Sequence, residues 1–234
     1  MRVLTSLMKL SSAVSVAMIC TACSFSSPTL QETRELQTRI PDGGRFEIDA
    51  GAGSLALKGD AASDAIQVRA EIYQVSANDN YTLTLELQDD NRARLVADAG
   101  SSFGGGSDRI DLSITVPAQR QVTIDDGSGS LRVETLIGDL DIEDGSGSIR
   151  ISDIEGSVVI EDGSGSIVIT GVSGNVSIDD GSGSISIMNT GGKVTVSDGS
   201  GSIEIDGADD FELIDDGSGS VSTRNIRSRI SNGK

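Results

Sequence analysis

Adjacent carboxylates recur through the second half of this 234-residue chain, at Asp125–Asp126, Glu143–Asp144, Glu161–Asp162, Asp179–Asp180 and Asp215–Asp216. They keep an 18-residue spacing, with Ser197–Asp198 standing in the one gap. Paired oxygen donors suit a hard cation, since calcium takes six to eight oxygens from carboxylates and carbonyls. If identical strands stack, neighbouring pairs lie about 4.8 Å apart and repel, and a bound cation relieves that repulsion. These ten residues are therefore the calcium candidates. The second acid of each pair also has a structural reading. Asp126, Asp144, Asp162, Asp180, Asp198 and Asp216 each head an Asp-Gly-Ser-Gly-Ser motif. An Asx-type turn there has Asp144 accept from backbone N–H groups near Ser146 and Gly147. Gly145 is then expected to supply a backbone angle that other residues resist.

Other chemistry is sparse. The chain has no His, and its acids sit in equivalent positions rather than in the unlike environments that acid–base catalysis needs. Two Tyr, four Phe and no Trp offer few platforms for stacking sugar rings. No catalysis, cofactor or small-molecule substrate is expected. A third column, Ser130, Ser148, Ser166, Ser184, Ser202 and Ser220, is expected on a solvated face. The position two residues further on is mixed (Arg132, Arg150, Val168, Ser186, Glu204, Ser222), which argues against an ice-binding ladder.

The elements that carry these columns follow from the repeat. A second glycine at Gly138, Gly156, Gly174 and Gly192 halves the 18-residue period to nine. Twelve nonapeptides run from Arg120 to Arg227, most with Leu, Ile or Val at positions three and five and polar residues between. Alternation with period two is a strand with one face buried. Odd and even nonapeptides end differently, so the unit is a coil of two strands and two unlike turns. The second turn puts a small or apolar residue (Leu136, Ile154, Val172, Thr190, Ala208, Ile226) into a corner of the core. The fold class is all-β: a parallel β-solenoid with two strands per 18-residue coil, about 29 Å long for six coils. Phe211 and Leu213 have the wrong parity, which predicts a bulge or local shift.

The calcium-binding RTX solenoids also have 18-residue coils, but their Gly-Gly-x-Gly-x-Asp motif places Asp after the glycines, whereas here it precedes them.

Residues 1–22 read as a lipoprotein signal peptide: Arg2 and Lys9 precede a short apolar run, and Ala22 precedes Cys23, whose sulfur is the expected acylation site. Cys20 stands where leucine is usual in such a motif, and Ser24 suits sorting to an outer membrane. Residues 23–44 read as a flexible tether, 45–119 as an irregular β region capping the first coil, 120–227 as the regular solenoid and 228–234 as a C-terminal tail. The formal charge is −18; loss of Arg2 and Lys9 leaves 16 basic against 36 acidic residues, or about −20. Such a surface repels nucleic acid, and no nucleic-acid partner is expected.

The stretch "LSITVPAQRQVTIDDGSGSLRVETLIGDLDIEDGSGSIRI", with its Val116-Pro117 step and Gly-x-aliphatic-x-aliphatic repeats, resembles the bacterial β-strand-repeat domains grouped as "putative adhesins". The resemblance spans about 45–230. It implies a β-solenoid in the cell envelope and carries over no catalytic residue. The functional expectation is a lipid-anchored structural or interaction module, adhesive in character, held to the membrane through Cys23. The alternative is a calcium-dependent binding protein.

Overall fold

Alternating aliphatic residues set the architecture. The computed structural model describes residues 27–41, 43–89, 91–100 and 108–228. All described elements are strands: β1 (Thr29–Thr38), β2 (Arg45–Asp60), β3 (Ile66–Gln74), β4 (Thr82–Asp89), β5 (Arg92–Asp98), β6 (Arg109–Pro117), β7 (Gln121–Ile137) and β8 (Leu140–Asp144), followed by β9 (Gly147–Glu155), β10 (Val158–Asp162), β11 (Gly165–Val172), β12 (Val176–Asp180), β13 (Gly183–Thr190), β14 (Lys193–Asp198), β15 (Ser200–Asp215) and β16 (Ser218–Ser228).

From β7 onward the chain is a flattened parallel solenoid. One sheet stacks the first half of β7 on β8, β10, β12 and β14, and the other stacks β9, β11, β13 and the first half of β15. Every paired residue in these ladders is 18 positions from its partner, as in Ile142↔Ile160 and Ile151↔Ile169. Inward positions are filled by aliphatics exposed to 2% or less, including Leu140, Ile142, Ile149, Ile151 and Ile154 of one coil. Burying each such side chain contributes about 1.5–3 kcal/mol.

The N-terminal half adds two further rungs, out of chain order. β2 stacks in parallel on most of β7, from Arg45↔Gln121 to Lys58↔Glu134, so it is itself a coil. β5 and β6 together lie on its other side. Antiparallel strands then cover this end, β3 and β1 on β6, and β4 on β5. The segment read as a tether is thus in part β1, a strand paired with β3 from Thr29↔Gln74 to Thr38↔Ile66. Its sequence lacks a clean alternation because β1 is an edge strand whose side chains are mostly exposed. Arg120 fastens the following loop: its guanidinium, 3% exposed, donates to the carbonyls of Pro41 and Ile40 at 2.8 and 3.1 Å.

The expected irregularity at Phe211 is present. Val194 pairs with Phe211 and Val196 with Leu213, 17 residues apart, and the spacing returns to 18 at Ser197↔Asp215 by a bulge at Ile214. The shift turns Phe211 and Leu213 onto the core and leaves Ile214 61% exposed.

Candidate functional site

The Asp-Gly-Ser-Gly-Ser turns form one edge of the solenoid. Alternation carries Asp144 inward one step after outward Glu143, and the strand ends there, so the carboxyl meets the turn that follows. The N–H of Ser146 donates to Oδ1 of Asp144 at 3.2 Å, and Ser164, Ser182 and Ser200 donate likewise to Asp162, Asp180 and Asp198 at 3.0–3.1 Å. These are Asx turns, with Ser as donor. In the last coil the turn shifts by one, and Gly217 donates to Asp215. The left-handed angle belongs to Gly147, not Gly145: Gly129, Gly147, Gly165, Gly183 and Gly201 have φ of 139° to 153°. A Cβ on Gly147 would stand 1.8 Å from the Gly129 carbonyl oxygen, so the rungs touch through these glycines.

Each acidic pair is split by the sheet. Asp125, Glu143, Glu161 and Asp179 are exposed, whereas Asp126, Asp144, Asp162 and Asp180 are 2–6% exposed. The calcium candidates therefore do not converge pairwise on one point; among the described residues no group of three or more acidic, His or Cys side chains is placed to hold a metal ion. In the last coil Asp215 is exposed and Asp216 half-buried. Burial drives the inward carboxyls upward: Asp126 to about 7, with the Asp144 and Asp125 charges adding to it, and Asp180 to about 6. Asp144 and Asp162 are raised for the same reason, partly offset by the turn N–H groups.

The opposite edge holds a column absent from the sequence-based expectations. Thr135, Asp153, Gly171, Asn189, Gly207 and Asn225 all have left-handed φ, from 53° to 84°. Each swings the next residue inward, which buries the corner residues Leu136, Ile154, Val172, Thr190 and Ala208. Gly, Asn and Asp are the residues that tolerate this angle, and that was the available signal.

A groove of about 700 Å³ lies on the outer sheet face near the N-terminal end. Register brings one row of side chains across it: Glu35 on β1, Arg69 on β3, Ser113 on β6, Ala56 on β2, then Arg132 on β7. The next row is Gln37, Gln67, Thr115, Lys58 and Glu134. Small residues on β6 and β2 form the floor, and long cationic and amide side chains the walls. Arg69 and Arg132 each pair with an acid on their own strand, Glu71 at 2.9 Å and Glu134 at 3.1 Å. Sequence reasoning missed this site because its five strands are not consecutive in the chain. Cys23 lies outside the described residues.

The comparisons bear on the fold. The Toastrack DUF4097 family model matches residues 46–225. The chain belongs to that family. The Toastrack match begins in β2 and ends in β16, so it takes in both turn columns and the groove floor but not β1. No curated protein sequence matches the chain. A Bacteroides fragilis structure described as a "putative adhesin" is similar, at 14% identity and TM-score 0.52, over 83% of this chain and 97% of that one. A "putative cell adhesion protein" from Clostridium sporogenes aligns at 12% identity and TM-score 0.48, over 82% and 99%. At these identities the likeness is one of fold.

Proposed function

We propose that this chain is a lipid-anchored, non-catalytic module of the cell envelope that adheres to a carboxylate-bearing partner through the groove over β6 and β2. The observation that carries this is the gathering of Lys58, Arg69 and Arg132 around one groove, in a chain whose acids outnumber its bases two to one. Opposite charge at close range favours such a partner, and the amides and hydroxyls of Gln37, Gln67, Ser113 and Thr115 supply hydrogen bonds. The "putative adhesin" description of the similar Bacteroides fragilis structure agrees with an adhesive role. Anchoring rests on Cys23 after Ala22.

Two measurements test the proposal. Cys23→Ser should abolish lipid labelling and release the chain from the membrane fraction; unchanged labelling refutes the anchor. Polygalacturonate binding, measured against neutral dextran, should fall at least about tenfold in a Lys58→Glu, Arg132→Glu double variant, a loss of about 1.4 kcal/mol. Equal binding of both polymers by the parent chain refutes the groove.

A further inference from the structure

The inward aspartates present a second property, independent of the groove. Asp126, Asp144, Asp162, Asp180 and Asp198 are 1–6% exposed, and the Oδ2 atom of each is buried without a hydrogen-bond partner. Register stacks them directly: Asp126 opposite Asp144, Asp144 opposite Asp162, Asp162 opposite Asp180, Asp180 opposite Asp198. An ionised carboxylate in this position leaves a charged oxygen without solvent or donor, and its neighbours one rung away carry the same sign. A proton on Oδ2 removes the charge and leaves Oδ1 free to keep its turn N–H.

The surroundings offer no other compensation. The charges acting on the column are acidic: Asp144 and Asp125 on Asp126, Asp144 on Asp162, and Asp162, Asp198 and Asp179 on Asp180. Glu143 and Glu161 alternate with the column on β8 and β10 and face solvent. On the adjoining sheet the charged positions after the turn, Arg132, Arg150 and Glu204, also point outward. Asp144 and Asp162 also border the shallow groove of the turn edge, beside Asp125, Glu143, Glu161 and Asp179.

We propose that the inward aspartates Asp126, Asp144, Asp162 and Asp180 form a proton-holding ladder along one edge of the solenoid, a pH-sensitive catch that keeps the turns closed while protonated and loosens them when the protons leave. The sign follows from linkage. A carboxyl whose folded pKa is raised binds more protons folded than unfolded, so its contribution is fully present below about pH 4 and is lost as pH rises through the folded values, about 6 for Asp180 and about 7 for Asp126. The loosened edge is the one formed by the Asp-Gly-Ser-Gly-Ser turns, so mildly acidic surroundings stiffen the surface on that side.

The test is thermal unfolding of the full chain between pH 4.5 and pH 8 at fixed high salt, which suppresses surface repulsion. The parent should melt at least about 5 °C higher at the acidic end. Asp144→Asn with Asp162→Asn keeps the Oδ1 acceptors and removes two ladder charges; it should raise melting at pH 8 and flatten the pH dependence. Glu143→Gln with Glu161→Gln removes the same number of charges from the outer face and should leave the slope as in the parent. Equal slopes in all three proteins overturn the proposal. If the Asn variant does not fold, the infrared carbonyl stretch of protonated carboxyl in the parent decides: persistence at pH 6 supports the ladder, and its absence overturns it.

Discussion

The backbone N–H of Ser164 donates to Oδ1 of Asp162 at 3.1 Å, while Oδ2 of the same carboxyl, 18 residues from its neighbours above and below, has no partner. One oxygen closes the turn and the other is buried at a cost. The two roles separate by substitution. Asp162→Asn keeps the acceptor, whereas Asp162→Ala leaves the Ser164 N–H without one, so the Asn variant should be the more stable by about 1 kcal/mol in urea unfolding at pH 7. Equal stability of the two would show that the turn bond contributes nothing.

Contact between rungs is most intolerant at the left-handed glycines. Gly165 has φ 150°, and a Cβ there would lie 1.8 Å from the Gly147 carbonyl oxygen, a backbone atom that cannot swing away. Gly165→Ala should cost about 3 kcal/mol or more. Gly171, on the other edge at φ 73°, has nothing nearer than 3.3 Å, so Gly171→Asn should change stability by less than about 1 kcal/mol. Denaturant midpoints of the two variants decide.

Thr135 is the one β-branched residue in the left-handed column of the second turn, with φ 59° and an exposed side chain. Asn stands at the equivalent Asn189 and Asn225. Thr135→Asn should therefore raise stability by about 0.5–1 kcal/mol, by removing strain without altering a buried contact. A lower melting temperature for this variant would contradict that account of the column.

Calcium separates the adhesive reading from its rival. The outer carboxylates Asp125, Glu143, Glu161 and Asp179 line a shallow groove along the turn edge, and Asp144 and Asp162 border it while being 6% exposed. Millimolar calcium and magnesium are expected to raise the melting temperature alike, as screening ions, and Glu143→Gln with Glu161→Gln should diminish both effects. A rise specific to calcium, reversed by chelation, would favour the calcium-dependent binding protein; saturation at a hundred times the dissociation constant stabilises by about 2.7 kcal/mol.

The repeat carries its own structure because each coil makes the same contacts with the next. The 18-residue spacing, the period-two aliphatics and the corner residues specified the parallel stack. The wrong parity of Phe211 and Leu213 specified the bulge at Ile214, since inward aliphatics must stay inward. The Asx turn was also legible, because Asp before Gly has few other uses at a strand end. What the repeat did not contain was the order of the N-terminal strands: β2 lies between β7 and the β5–β6 rung, and β1 pairs antiparallel with β3, from Thr29↔Gln74 to Thr38↔Ile66, contacts with no periodic trace in the chain. The groove follows from that order, so only the tertiary structure brings Arg69, Ser113, Ala56 and Arg132 into one row. The fate of the acidic pairs was likewise decided in three dimensions. Adjacent residues on a strand point to opposite faces, and here one face is water and the other a closed core, so Asp125 faces solvent while burial pushes the neighbouring Asp126 carboxyl up.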